Sequence, residues 1–175
     1  MIEIRLLRAD DASAYWKIRL EALECDPEAF GSSAEEHRAL SLEEVKTRLG
    51  SDPATSFVVG AFEGKELVGT AGFYREKGLK TQHKGGVWGV YVTAKARGTG
   101  VGRSMLRTLL EHARDIEGVE LIKLSVATRQ PATAALYRSL GFEPWGREPR
   151  ALKIADRYID EEHMVFYVDR SDARR

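Results

Sequence analysis

The period of apolar and polar positions changes several times along the chain. Apolar and charged residues alternate over residues 2–6, which is the period of a half-buried strand. Asp10 then offers a helix N-cap, and apolar residues up to Leu23 recur on one helical face. Residues 25–33 (CDPEAFGSS) are rich in turn formers. Residues 41–50 (SLEEVKTRLG) begin with a capping box and end with glycine, which predicts a second, short helix.

The middle of the chain is predicted to hold three strands followed by a helix, a strand and another helix. Residues 56–75 contain two β-rich runs joined by Glu63-Gly64-Lys65, a plausible hairpin connection, and residues 86–94 are also strand-like. Residues 101–117 return to apolar steps of three and four and stop before Gly118. A strand over residues 120–128 leads to a helix that begins at Pro131 and ends at Gly141.

The end of the chain is predicted to be a closing hairpin, with arms at residues 142–154 and 157–168 joined by Ala155-Asp156. The first arm should be irregular, because Pro144 and Pro149 have no N–H to donate. The resulting order, βααβββαβαββ, contains no repeat or linker and predicts a single α/β domain with a mixed sheet over residues 1–170. Residues 171–175 are expected to form a frayed tail.

Composition limits the function classes. The 175 residues, 43% of them hydrophobic, suffice for one compact domain with a sizeable core. Lys plus Arg equals Asp plus Glu at 27 each, so no basic field points to a nucleic-acid partner. No long apolar run indicates a signal peptide or a membrane span, and a cytoplasmic protein is expected. Cys25 is the single cysteine and the four histidines are scattered, so no metal site is predicted.

A glycine-rich stretch lies between the third of the middle strands and the helix that follows. Gly98, Gly100 and Gly102 alternate with other residues between Arg97 and Arg103. At such a junction several N–H groups have no intrahelical partner and the helix dipole is positive, which favours a phosphate or pyrophosphate. Glycines before a helix also occur in simple tight turns. The pattern fits neither the dinucleotide fingerprint GxGxxG nor the Walker loop GxxxxGK[ST].

Two segments carry a resemblance to a known family. Residues 97–102 (RGTGVG) match R/Q-x-x-G-x-G/A, the acetyl-CoA pyrophosphate motif of the GCN5-related N-acetyltransferases (GNAT family), and residues 90–94 (VYVTA) resemble the strand before it. Ala94 stands where the family often has proline. Residues 130–142 (QPATAALYRSLGF) resemble the family segment N-x-x-A-x-x-L-Y-x-x-x-G-F, with Gln130 at the usual asparagine. The chain resembles small bacterial-type members of this family.

The resemblance implies an α/β (α+β) fold, with a twisted mixed sheet of about seven strands flanked by about four helices. The strands near residues 86–93 and 119–126 would splay apart and hold the pantetheine arm of acetyl-CoA, as an added strand would be held. Gln130 is equally plausible as a helix cap. The residues that the resemblance assigns to acetyl-CoA are Val90, Tyr91, Val92, Arg97, Gly98, Thr99, Gly100, Val101, Gly102, Arg103, Ser104, Gln130 and Tyr137.

The implied reaction is acetyl transfer to a primary amine by direct attack through a tetrahedral intermediate. Tyr137 occupies the position of the family's catalytic acid, which would donate a proton to the departing CoA thiolate; spacing alone favours a core residue. The amine must also lose a proton, yet the strand before the glycines lacks the glutamate that many relatives carry. The base is left open between a water chain and the side chains of Glu35, Glu36, His83, Glu161 and Glu162.

In the family, the first two helices and the last hairpin form the acceptor groove. The substrate residues implied here are Phe30, Glu35, Glu36 and Tyr158, with Trp145 and Arg150 nearby, and the acidic pair would favour a cationic amine. A small-molecule acceptor is favoured over a protein N-terminus or lysine. A non-catalytic acyl-CoA sensor is the other alternative, since it would need residues 97–102 but not Tyr137. Relatives are often dimers, so a homodimer is compatible with the resemblance.

Overall fold

A computed structural model describes residues 1–168. The strands are β1 (Ile2–Leu6), β2 (Ser56–Glu63), β3 (Glu66–Arg75), β4 (Lys84–Val92), β5 (Leu121–Ala127), β6 (Glu143–Ile154) and β7 (Arg157–Tyr167). The α-helices are α1 (Ala12–Cys25), α2 (Ala34–Arg38), α3 (Leu42–Leu49), α4 (Val101–Asp115) and α5 (Pro131–Ser139).

The seven strands form one mixed sheet in the order β1-β2-β3-β4-β5-β7-β6. Neighbouring strands are antiparallel except β4 and β5, which are parallel and connected through α4. The predicted fold class and the succession of seven strands along the chain are therefore confirmed. Within residues 1–168, no helix is long and apolar enough to cross a membrane.

Residues 1–168 form five α-helices where about four were predicted, because α2 was missed in the segment after the turn-rich residues. Its N-cap is Ser33, whose Oγ accepts a hydrogen bond from the Glu36 N–H at 3.1 Å. The Glu36 carboxylate in turn accepts from the Ser33 N–H at 2.7 Å, which completes a capping box. This is the pattern that correctly predicted α3 at Ser41 and Glu44, and it was available in the sequence.

The predicted start of α1 is also corrected by one residue. Asp11, not Asp10, is the N-cap, because a short 3-10 turn over Ala9–Asp11 precedes the helix. The Asp11 carboxylate accepts from the Arg8 N–H at 2.7 Å and from the Arg5 guanidinium at 2.8 Å. These interactions, the Arg5 bond first, hold the pKa of Asp11 below its ordinary value. They tie the first helix to the edge strand of the sheet.

Both predicted hairpins are present. Gly64 adopts φ +62° in the two-residue connection between β2 and β3, a conformation that glycine adopts without strain. The closing hairpin is irregular in its first arm, where the register shifts near Pro144 and again between Glu148 and Leu152. The predicted tail at residues 171–175 lies outside the described residues.

The sheet is covered on both faces, so its central strands are apolar on both sides. Phe57, Val59 and Ala61 of β2 share one core with α4, whereas Val58 belongs to a second core with α1 and α3. Leu106 is fully buried within the first of these cores. The helix after the glycine-rich stretch is thereby fixed against the sheet, which fixes the position of its N-terminus.

Replacing Leu106 with alanine should lower the free energy of unfolding by about 2–5 kcal/mol, because a fully buried leucine leaves a cavity when truncated. Urea unfolding followed by circular dichroism would measure the change. The exposed Glu111 on the same helix is the matched control, and Glu111→Ala should change stability by less than about 0.5 kcal/mol. Equal effects of the two substitutions would contradict the assigned orientation of α4.

Candidate active site

The two parallel strands at the centre of the sheet separate along their length. β4 pairs with β5 only through residues 84–86 and 121–123. Beyond these residues β4 remains paired with β3, and β5 remains paired with β7. Each strand therefore carries unpaired backbone groups on the side that faces the other. The result is a wedge-shaped gap at the carboxyl ends of both strands, where open α/β sheets commonly bind ligands.

A bulge in β4 lies beside this gap. Thr70 pairs with Tyr91 and Gly72 pairs with Trp88, so that one residue of β3 faces two residues of β4. One of the two is Gly89, which has φ +61°. An extra residue of this kind bends the strand and redirects its backbone groups. The bulge thus turns this part of β4 away from regular pairing, at the point where the gap opens.

A cleft of about 870 Å³ occupies the gap and continues over the glycine-rich stretch. It brings together most of the residues predicted to bind acetyl-CoA, although they come from β4, α4 and α5. Thr99 and Ser104 are the exceptions: the Thr99 hydroxyl donates to the Ala96 carbonyl at 2.7 Å, and Ser104 is exposed on α4. The predicted residues that line the cleft are Val90, Tyr91, Val92, Arg97, Gly98, Gly100, Val101, Gly102, Arg103, Gln130 and Tyr137.

The glycine-rich stretch presents a row of free donors. Gly98 and Gly100 adopt φ +76° and +88°, which an L-residue reaches only with strain. Among residues 1–168, no protein acceptor is hydrogen-bonded to the N–H groups of residues 98–103, and the first helical bond runs from the Ser104 N–H to the Gly100 carbonyl. Such donors at a helix N-terminus suit an anion. The loop therefore suits a diphosphate through its backbone N–H groups as well as through its positively charged side chains.

The family model of the acetyltransferase (GNAT) family matches residues 15–142, which includes this gap, the glycine-rich stretch and α5. The chain belongs to the GNAT acetyltransferase family.

Curated relatives match parts of this GNAT chain. The N-alpha-acetyltransferase RimI of Mycobacterium tuberculosis is 40% identical over 102 residues, which are 57% of this chain and 61% of the relative. The L-methionine sulfoximine/L-methionine sulfone acetyltransferase of Pseudomonas paraeruginosa is 32% identical over 80 residues, 46% of each chain. The GNAT chain thus spans less than two thirds of either relative.

Solved structures share the fold over almost the whole length. A GNAT acetyltransferase from Streptococcus pneumoniae superposes with a TM-score of 0.85 at 21% identity, over 97% of this chain and 100% of that one. The yncA protein of Salmonella typhimurium, solved with acetyl-CoA, has a TM-score of 0.79 at 21% identity, over 97% and 95% of the two chains. At this identity the likeness establishes the fold.

The arginines of the GNAT cleft differ in their engagement. Arg97 donates to the Val92 carbonyl at 2.9 Å and to the Asp26 carboxylate at 2.7 Å, so it fixes the loop to the end of α1. Arg103 forms no ion pair with another residue of the described 1–168. Arg129, which the sequence analysis did not single out, lines the cleft near Glu28 at 3.7 Å. Of the two arginines in the loop, Arg103 is therefore the one without an ion-pair partner within residues 1–168.

Three predicted residues face the cleft in different ways. The Gln130 side chain does not cap α5 and lines the cleft, which favours a ligand contact over the capping alternative. The Tyr91 hydroxyl donates to Glu21 at 2.8 Å, so this residue offers the cleft mainly its backbone. Tyr137 is buried in the core beside Phe142 and still lines the cleft, and burial raises the pKa of its hydroxyl. Tyr137 is thus both a core residue and a cleft residue.

The predicted acceptor residues are only partly brought together. Phe30 is buried and lines the cleft. Glu35 is exposed on α2 and lines neither the cleft nor its neighbouring cavity, while Glu36 faces that cavity but is committed to the Ser33 cap. Tyr158 lies outside the cleft, where the Arg150 and Lys153 side chains cover its ring at 4.9 and 5.7 Å. The acidic acceptor groove that the sequence suggested is not assembled at the cleft.

Of the five side chains considered as the base, only Glu161 on β7 lines the cleft. It stands opposite Ala127 of β5. Glu162 is held by Arg138 at 2.6 Å, and His83 lies before the bulge, where its carbonyl accepts from the Glu120 N–H. Within residues 1–168, the one other carboxylate that lines the cleft is that of Asp26, which is paired with Arg97.

Glu161 also belongs to a small cluster with Glu148 and His163. One ligand-type atom from each lies within 4.8 Å of the others, the single such group among residues 1–168. His163 Nε2 lies 2.8 Å from the Glu148 carboxylate. This direct contact accounts for the approach of the histidine and one carboxylate, so the cluster does not require a metal ion.

Arg19 is the main residue that sequence reasoning missed. It lies on the inward face of α1, is 7% exposed, and lines the cleft next to the bulge. A second cavity of about 450 Å³ adjoins the cleft and shares Arg19, Gly31, Ser32 and Trp88 with it. The available signal was helical spacing, since Arg19 lies four residues after Tyr15 and three before Ala22, within the apolar stripe of the helix.

The raised pKa of Tyr137 predicts a loss of stability in alkali. The unfolded phenol ionises near its ordinary value of 10.0, whereas the folded protein keeps the proton to higher pH. The stabilisation is therefore complete below pH 10 and is lost above it, by at most about 1.4 kcal/mol for each pH unit. Urea unfolding between pH 8 and 11 should show a steeper decline for wild type than for Tyr137→Phe. Parallel declines would contradict the assignment, since all other tyrosines are common to both proteins.

Proposed function

We propose that this chain is an acetyl-CoA-dependent N-acetyltransferase, formed by a single domain over residues 1–170, that acts on a small-molecule amine. The observation that carries the proposal is the continuity of the open β4–β5 gap with the free N–H groups of residues 98–103. Acetyl-CoA matches this site along its whole length. The amide groups of its pantetheine arm can pair with strand backbone in the gap, and its diphosphate can accept hydrogen bonds from the free N–H groups.

The residues fit the parts of acetyl-CoA in turn. The N–H groups of residues 98–103 and the Arg103 side chain would hold the diphosphate, with Arg129 on the other wall of the cleft. The backbone of Val90 would face the pantetheine arm, whereas the Val92 carbonyl is already occupied by Arg97. When bound, acetyl-CoA supplies the activated acetyl group as a thioester. The bulge at Gly89 would direct backbone N–H groups towards the thioester carbonyl, where developing negative charge needs a donor.

Tyr137 is proposed as the proton donor. Burial raises the pKa of its hydroxyl, so Oη carries a proton throughout the neutral range. No hydrogen-bond acceptor within residues 1–168 binds this hydroxyl, and it lines the cleft, so its proton is available to a ligand. A group with these properties can donate towards the sulfur as the C–S bond breaks, which stabilises the negative charge that develops on the leaving group.

Glu161 is proposed as the proton acceptor for the attacking amine, directly or through one water molecule. It is the cleft carboxylate that has no arginine or lysine partner among residues 1–168. Its neighbours Glu148 and His163 extend towards exposed surface on β6 and β7, which gives a proton a route out of the cleft. A base within reach of the amine is required because the protonated form has no lone pair.

The acceptor end of the cleft supports a small molecule. Phe30 and Arg19 close this end, and the adjoining cavity of about 450 Å³ is within the size range of small-ligand sites. Acetylation of a protein N-terminus is the second candidate, favoured by the 40% identity to an N-alpha-acetyltransferase. The cytoplasmic location and the homodimer stay predictions from the sequence.

Substitution of Gly100 by alanine should weaken binding of CoA. The left-handed backbone costs an alanine about 1–2 kcal/mol, so the loop either stays strained or turns its N–H groups away from the diphosphate. We expect the Kd from calorimetric titration to rise about tenfold. Gly146→Ala is the control, because that glycine has ordinary φ and open space around it. An unchanged Kd in Gly100→Ala would remove the loop from the proposed site.

The proposed acid and base predict losses of turnover without loss of cofactor binding. Tyr137→Phe and Glu161→Gln should each lower kcat by about 10²-fold with an amine panel, as expected for removal of a general acid or base. Release of CoA thiol measures the rate, and calorimetry with CoA checks that the fold and the cleft survive. Tyr167→Phe and Glu143→Gln, both exposed on the closing hairpin, are the matched controls. Normal turnover in Tyr137→Phe would reject Tyr137 as the acid, whereas a wild-type protein that binds CoA without any turnover would favour the non-catalytic sensor.

A further inference from the structure

Arg19 is a cation placed where the rest of the helix face is apolar. Its neighbours on the inward face of α1 include Tyr15, Ile18, Ala22 and Leu23, all buried. Burial disfavours the charged form and lowers the pKa of Arg19, yet an arginine remains charged at neutral pH. The fold therefore places a positive charge beside the acceptor end of the cleft.

This charge has no acceptor within residues 1–168. None of their ion pairs includes Arg19, and its Nη1 is buried without a hydrogen-bond partner. The guanidinium lies 4.7 Å from the centre of the Phe30 ring and 5.6 Å from that of Trp88. Rings of this kind attract a cation and hold it in place, but they do not replace a hydrogen-bond acceptor. A buried, unpaired charge is costly, so a ligand that supplies a carboxylate would gain a strong interaction.

The position of Arg19 connects the cleft with its neighbouring cavity. The second cavity contains another cation, Arg48, which also forms no ion pair within residues 1–168. The carboxylate that faces it, Glu36, is engaged by the Ser33 N–H and hydroxyl. Apolar walls come from Leu23, Leu40, Val45 and Leu49. This cavity combines positive charge at its entrance with room for an apolar side chain.

The distance between Arg19 and the reaction point restricts the acceptor further. A methyl group built on Gly89 would lie 3.4 Å from Arg19 Nη1, so the guanidinium is adjacent to the bulge. In the proposed function the bulge faces the thioester. An α-amino group is separated from its own carboxylate by a single carbon atom. A carboxylate on Arg19 would therefore keep an α-amine beside the bulge, whereas the amine at the end of a long chain would lie well away from it.

We propose that Arg19 binds the carboxylate of a free α-amino acid, whose amine is the group acetylated and whose side chain occupies the second cavity. This inference rests on the proposed acetyltransferase function and names the acceptor class for the same site. It distinguishes a free amino acid from a protein N-terminus, because the first carboxyl group of a protein is an amide and carries no charge.

The test compares acceptors that differ only in the carboxylate. L-leucine and L-methionine would be assayed beside their amides and the decarboxylated amines, 3-methylbutylamine and 3-(methylthio)propylamine. We expect kcat/KM for the acids to exceed that for the amides by about 10- to 100-fold, the range of a charge-assisted hydrogen bond. Arg19→Met should remove this preference by lowering kcat/KM for the acids to the level of the amides, whereas Arg19→Lys should keep part of it. Arg38→Met is the control, since Arg38 is exposed and pairs with Glu24 outside both cavities.

Two further measurements do not depend on turnover. Calorimetric titration of the preferred amino acid into the protein with CoA present should show weaker binding in Arg19→Met by the same factor. Thermal unfolding without ligands should give a Tm for Arg19→Met that is equal to or above that of wild type, because a buried unpaired charge is removed. A merely structural Arg19 predicts a lower Tm in this variant.

The outcomes separate this inference from the proposed function. Wild-type protein that acetylates amides and simple amines as well as acids would overturn the role of Arg19 and leave the acetyltransferase intact. This comparison needs no variant, so it stands even if Arg19→Met does not fold. An equal loss for acids and amides in Arg19→Met would also overturn the inference. Failure of wild type to bind acetyl-CoA would instead overturn the proposed function.

Discussion

The loss of pairing between β4 and β5 is the feature on which the candidate site depends. After residue 86 the two parallel strands share no hydrogen bonds, and the bulge at Gly89 keeps them from pairing again. Unpaired backbone N–H and C=O groups inside a protein cost free energy. A ligand with amide-like groups that enters the gap would supply the hydrogen-bond partners that these groups lack. α4 and α5 both begin beyond the carboxyl ends of these strands, which places two helix N-termini at the mouth of the same gap.

Two different kinds of positive potential flank this gap. At one end it comes from backbone N–H groups in left-handed and helical conformations, with Arg97 held by Asp26 so that the loop keeps its shape. At the other end it comes from the single guanidinium of Arg19, held between two aromatic rings. The first arrangement suits a diffuse, multiply charged group such as a diphosphate. The second suits one carboxylate in a defined orientation, so the two ends select different ligands.

Local signals determined which features were predictable from the sequence. The glycine-rich stretch, the turn at Gly64 and the helix between Pro131 and Gly141 each depend on neighbouring residues, and all were predicted. Helix α2 was predictable from Ser33 and Glu36 and was overlooked. On the acceptor side, the commitment of Glu36 to a cap was available from the same local pattern, whereas the covering of Tyr158 by Arg150 and Lys153 outside the cleft required the structure of the hairpin. The helical spacing of Arg19 among apolar residues indicated the inward face of α1, but only the tertiary structure shows that its Nη1 is buried without a partner.

The placement of Arg19 also bears on how an acceptor would lose its proton. In a free amino acid, the carboxylate stabilises the neighbouring ammonium group, since opposite charges at short range favour the charged form. Pairing of that carboxylate with Arg19 removes much of this stabilisation, and the positive guanidinium disfavours a second cation beside it. The bound amine would therefore become neutral at lower pH than in water, and Glu161 on the same cleft would receive its proton more easily. A cation that positions the acceptor thus also assists the deprotonation on which the chemistry depends.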